Sequence, residues 1–99
     1  DISNPAAPRE VSRMTFGPED TPHWIAISPD QRWVVVTGYD SLQHCVIIAR
    51  FDPASGRLTL DERFREEGTT AAGYRMDNKT WPHGGNAKGV PHGAVFSRP

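Results

Sequence analysis

Two runs near the middle of the chain, Trp33-Val34-Val35-Val36 and Cys45-Val46-Ile47-Ile48-Ala49, are apolar at every position rather than at alternate ones. Each is strand-sized and rich in β-branched residues, the pattern of a strand covered on both faces. Similar short segments recur on either side between turn residues, and no stretch has a helical period. The pattern predicts strands over 11–16, 23–28, 32–38, 44–51 and 57–64, with a sixth over 92–96. Pro29-Asp30-Gln31 joins the second to the third: proline presets φ, and an aspartate can bond the backbone ahead of it. Asp52-Pro53-Ala54-Ser55-Gly56 joins the fourth to the fifth, with Gly56 suited to a positive φ. Leu58 and Leu60 alternate with Thr59 and Asp61, so the fifth strand is expected to be wetter than the two before it.

Consecutive strands with short turns imply an antiparallel meander. Such sheets commonly leave one face in water, so two doubly apolar central strands require cover on both sides. A β-propeller meets that requirement, because each four-stranded blade is sandwiched between neighbours around a channel. The expected fold is all-β: a β-propeller fragment with one complete four-stranded antiparallel blade and parts of two neighbouring blades. The alternative is a small stand-alone β-domain with one covered face.

An internal repeat sharpens this expectation. Residues 21–29 match residues 90–99: each has Pro-His, an apolar strand, and Ser followed closely by Pro. Upstream, Asp1 with Pro5 and the 11–16 segment parallels Asp52 with Pro53 and the 57–64 segment. On this repeat, 1–16 is the outer part of a preceding blade, 23–64 the complete blade, 65–91 an inserted loop and 92–99 the inner strand of the next blade. Phe64 and His92 are 28 positions apart (92 − 64), against 7 for Phe16 and His23 (23 − 16). The insertion exceeds the roughly 12–15 residues beyond which structureless loops become uncommon. In a blade it would lie over one mouth of the channel.

Composition narrows the function classes. Hydrophobic residues are 36%, and the nine glycines bring the apolar share to about 45%, enough for a small core. The formal net charge is −1 with no basic run, which argues against a nucleic-acid partner. No apolar stretch approaches the roughly 20 residues needed to span a bilayer. The single cysteine, Cys45, excludes an internal disulfide framework and reads as a small core residue. Asp1-Ile2-Ser3 reads as the interior of a longer protein, with no targeting segment, so compartment is not encoded in these residues.

Histidine carries most of the candidate chemistry. By the repeat, His23 and His92 occupy equivalent places at the start of inner strands, where both imidazoles could face one channel mouth. His83 lies on the insertion that could fold over the same mouth. Three convergent imidazoles would suit a zinc or copper ion. The competing reading is that Pro-His is a structural device, with the imidazole bonding a backbone carbonyl. His44 begins an apolar strand and reads as structural. Trp24 either packs between blades or lines the channel, while Tyr74 and Trp81 either pin the insertion or contact a small-molecule ligand. His83-Gly84-Gly85 is similar to an esterase oxyanion loop, but no G-x-S-x-G elbow supplies a nucleophile. Glu19-Asp20 and Glu66-Glu67 read as solvated loop charges.

Several of these segments resemble known propeller repeats. Asp1-Ile2-Ser3-Asn4-Pro5, with Pro8, resembles part of the LVIVD-type repeat. The run from Pro22 to Val36 resembles the Pro-His strand and turn of YVTN-type and lactonase-like propellers, and Phe51 to Leu58 is similar to a turn of the same proteins. The resemblance covers residues 1–64 and 91–99; selenium-binding proteins, some of them copper-dependent oxidases, carry more loosely related repeats. It implies a ligand- or partner-binding scaffold whose partners include the remaining blades of the parent chain. The alternative it implies is a lactonase-like hydrolase or a metal-dependent (copper) oxidase using the mouth histidines. Fewer than about three repeats are seldom stable alone, so the isolated chain is expected to self-associate.

Overall fold

The computed structural model describes residues 1–16, 21–38, 44–77, 79–85 and 88–98. The loop pair Glu19-Asp20, together with Asn86 and Pro99, lies outside the described residues. Described strands are β1 (Pro22–Ile27), β2 (Trp33–Gly38), β3 (Cys45–Asp52), β4 (Arg57–Leu60) and β5 (Tyr74–Arg75). The first four form a sheet in sequence order, every neighbouring pair antiparallel, and β5 pairs with the start of β3. The chain is thus an all-β domain built on a four-stranded antiparallel meander with one added strand. Among the described residues, no helix is long and apolar enough to cross a membrane.

Residues opposite one another on paired strands share a face of the sheet. The register therefore places Ile25, Ile27, Val34, Val36, Cys45, Ile47, Ala49, Phe51, Leu58 and Leu60 on a first face. Trp24, Trp33, Val35, Thr37, Val46, Ile48, Arg50, Thr59 and Tyr74 share the second. Val34, Val36, Cys45, Ile47 and Ala49 form the core cluster on the first face, against which Met14, Phe16, Phe51, Leu58 and Leu60 pack. Cys45 is a buried core residue, as its neighbours suggested. Burying an aliphatic side chain of this size stabilises by roughly 1.5–3 kcal/mol. All of Val34–Gly38 is buried, which matches the unbroken apolar pattern of β2.

The turns follow local chemistry. Ser28 is buried, and its Oγ accepts from Trp33 N at 2.9 Å and Arg32 N at 3.2 Å while donating to Asp30 Oδ1. These bonds hold the β1–β2 hairpin, in which Gln31 takes a φ of 57°. At the β3–β4 turn Gly56 has a φ of 70° and lies against the Val11 side chain.

Three expected strands are corrected. Residues 11–16 alternate exposed and half-buried positions, as a strand would, but join no ladder. The reason is visible at Ser12, whose Oγ takes the Leu58 N–H at 3.0 Å, so a side chain substitutes for the backbone acceptor. The strand over 57–64 ends at Leu60. Asp61 then accepts from Arg63 N and the Arg63 guanidinium, and a Phe64 N–H to Asp61 carbonyl bond closes a turn. Residues 92–96 form no strand; the segment crosses the second face on side-chain bonds. The insertion is not a bare loop either, because it contributes β5. Gly73, at a φ of 101°, makes the close approach to β3 possible: a Cβ there would sit 3.1 Å from the Val46 carbonyl oxygen.

Candidate functional site

His23 owes its position to an irregularity in β1. Pro22 is opposite Gly38 and Trp24 is opposite Thr37, so His23 is the extra residue of a β-bulge. Bulges bend a strand and re-aim side chains. The imidazole of His23 stacks on that of His92, with ring centroids 4.8 Å apart and planes 26° apart. The repeat that made these two histidines equivalent thus matches a real juxtaposition. They meet because a strap, residues 91–96, crosses the second face.

Side-chain bonds to two backbone carbonyls help fasten the strap. Thr37, fully buried, donates from Oγ1 to the His92 carbonyl at 3.2 Å, and Trp24 donates from Nε1 to the Ala94 carbonyl at 3.0 Å. Gly93 lies on the indole so closely that a Cβ would sit 3.3 Å from Cδ2. Trp24 therefore packs against the strap of its own chain, yet stays 44% exposed. Trp24, Thr37, Val46 and Tyr74 form one row across β1, β2, β3 and β5. Three strand spacings separate the two aromatics, about 14 Å. The strap passes over Thr37, within that row.

The other candidates serve the insertion. Tyr74 is 42% exposed and has the Lys79 ammonium 4.2 Å from its ring centroid. Trp81 is half-buried beside Gly89, where a Cβ would come 2.9 Å from Cζ2. Glu66, read from sequence as a solvated charge, is instead an organiser: its carboxylate accepts from Arg75 N and from Lys79 Nζ. The Lys79 hydrogen bond, reinforced by the Arg75 N–H and outweighing desolvation, holds the Glu66 carboxyl below the usual range; Lys79 is raised in turn. His44 is half-buried, its carbonyl accepts from Met76 N at 2.7 Å, and its Nδ1 has no partner among the described residues.

His83 is exposed, and among the described residues no group of three or more His, Cys, Asp or Glu is arranged to hold a metal. His23 and His92 would supply two donors, where a structural zinc site takes four and a catalytic site three plus water.

The repeat placed His23 and His92 at equivalent positions, but what brings the two rings together was not visible in the sequence. Pro22 before His23 was the only local signal of an irregular start to β1, and nothing local marks Thr37 as an anchor. Glu66 was obscured because its partners lie 9 and 13 residues away. Compared with known protein families, curated proteins and solved structures, the chain matches none.

Proposed function

We propose that the chain is a blade-type module of a repeat β-propeller, acting as a ligand- or partner-binding scaffold with its site where His23 meets His92. The observation that carries this reading is the uneven cover of the first face. Val34, Val36, Ile47 and Ala49 are buried, yet Ile25 and Ile27, opposite Val36 and Val34, are 66% and 50% exposed. An apolar row continuous with a core but open to water suits packing against a further β-sheet, the arrangement of neighbouring blades. The sequential meander and the Pro-His repeat support the same reading. On it, the remaining blades cover β1, and Trp24, Tyr74 and Trp81 are the residues for a small-molecule ligand.

The test is size-exclusion chromatography with light scattering. The chain should self-associate through the uncovered row, and Ile25→Lys with Ile27→Lys should shift it toward monomer. A monodisperse wild-type monomer that melts cooperatively overturns the reading.

The imidazole pair favours a second reading, a lactonase-like hydrolase or copper-dependent oxidase. Copper or zinc titration of wild type, His23→Ala and His92→Ala by calorimetry separates the two. Stoichiometric binding lost in both variants supports the metal-dependent form of this reading; no binding by the wild type removes that form.

A further inference from the structure

A broad groove lies away from the histidines, at the opposite end of the strands. Its cavity volume is about 1010 Å³ and its lining includes Arg32, Trp33, Arg50, Phe51, Arg57 and Thr59. From Trp33 to Gly38, near His23, is five residues of strand, roughly 17 Å. The groove follows from register: Trp33, Arg50 and Thr59 form one row across β2, β3 and β4, and Arg57 is opposite Asp52 one step further on. All five side chains belong to the second face, beyond the part the strap crosses.

The three guanidiniums differ in their commitments. Arg50 is held in place, with Cζ 5.3 Å from the Trp33 ring centroid and Nε 3.8 Å from the Asp61 carboxylate. Among the described residues, neither Arg32 nor Arg57 has a carboxylate within salt-bridge distance. Two lining acids, Asp30 and Asp52, leave a formal surplus of one positive charge. Both are occupied in turns: Asp30 takes Ser28 Oγ and Arg32 N, and Asp52 takes Ser55 Oγ and Ala54 N. Pro53 and Ala54 add apolar wall. A guanidinium presents donors in a planar fork that matches an oxyanion, and one already held by an aromatic ring loses less freedom on binding.

We infer that this groove is a binding site for a small organic phosphate monoester, whose dianion is gripped by Arg32, Arg57 and Arg50 while its organic part lies along Trp33 and Pro53. The dianion fits because, among the described residues, Arg32 and Arg57 are in no ion pair and the lining keeps a formal positive surplus, and the volume exceeds what inorganic phosphate fills. The inference stands independently of the propeller reading, since the groove is formed by β2, β3, β4 and the turns at their ends.

The test is an NMR titration of the chain with phenyl phosphate, beside benzoate, inorganic phosphate and benzyl alcohol. Phenyl phosphate should bind saturably, shift the Trp33 indole and weaken as salt rises, with benzoate and phosphate weaker and benzyl alcohol silent. Arg57→Gln and Arg32→Gln, both exposed and in no ion pair among the described residues, should each weaken binding about tenfold, one charge-assisted contact. Lys88→Gln, outside the groove, should change nothing. Absence of saturable binding, or equal binding by both arginine variants and wild type, overturns the inference. Tighter binding of benzoate than of phenyl phosphate reassigns the groove to carboxylates.

Discussion

Thr37→Val deletes one hydroxyl and leaves the shape of the core almost unchanged, which makes it a direct test of how the imidazole pair is held. Thr37 Oγ1 donates to the His92 carbonyl at 3.2 Å from a residue with 0% exposure. A hydrogen bond between neutral groups contributes about 0.5–1.5 kcal/mol net, and a sealed acceptor deprived of its donor costs about 1–3 kcal/mol. His92 is exposed, so water can reach its carbonyl and the lower range applies, about 1 kcal/mol. That corresponds to a roughly fivefold rise in the population with the strap released. Valine's extra apolar surface offsets part of this loss in the sheet itself, by up to about 0.8 kcal/mol for one methyl-sized group. Global unfolding should therefore shift by less than about 1 kcal/mol while the strap loosens. The assay pairs denaturant unfolding at one protein concentration with nuclear Overhauser contacts between the His23 and His92 rings and the Trp24 indole N–H shift. Weakened ring contacts with near-normal global stability are expected. Unchanged contacts and an unchanged indole shift would refute the anchoring role of Thr37.

Three other outcomes follow from the fold. Ile47→Ala opens the first-face core at a 6% exposed position and should cost about 2–5 kcal/mol in urea unfolding, whereas Val95→Ala, 82% exposed, should stay within about 0.5 kcal/mol. Gln31→Gly should raise stability by several tenths of a kcal/mol up to about 1, because glycine adopts the φ of 57° at no steric cost; a lower melting temperature would contradict that account of the hairpin. Glu66, held by Lys79, and Asp61, held chiefly by Arg63, have folded pKa values below their ordinary ones, so their stabilisation is complete above about pH 4.5 and is lost as pH falls through the folded values. Acid titration of the melting temperature should show this decline, shallower in Glu66→Gln; a Glu66→Gln profile that parallels wild type would exclude Glu66 as a source.

The meander was legible because it rests on local signals. Unbroken apolar runs mark β2 and β3, and Ser28-Pro29-Asp30 and Asp52-Pro53 mark the corners. What escaped depends on contacts distant in sequence. Residues 11–16 have a strand's alternation, but whether they enter the ladder turns on Ser12 Oγ meeting Leu58 N, 46 residues away. Tyr74–Arg75 is too short to show a period and exists because β3 has a free edge beyond β4. At the candidate site the repeat singled out His23 and His92, whose rings stack in the structure. The three-histidine expectation included His83 because it lies on the insertion that could fold over the same mouth, and nothing local constrains where a loop side chain points. Fold class is legible in the pattern, whereas the propeller assignment rests on resemblance and on uncovered apolar rows.

The strap also sets an order of events in time. β1 to β4 are joined by short connections, so the sheet can assemble through contacts close in sequence. The strap's anchors join residues 55 and 70 positions apart. Closing such long loops costs entropy before any contact repays it, and each doubling of length adds about 0.6 kcal/mol. The strap therefore docks after the rate-limiting step, and weakening its anchors should speed unfolding while leaving the folding rate unchanged in stopped-flow measurements. Slower folding of Thr37→Val would reverse the order. Until then the Thr37 hydroxyl stays hydrated, and the closure that seals it is the same event that brings the two imidazoles face to face.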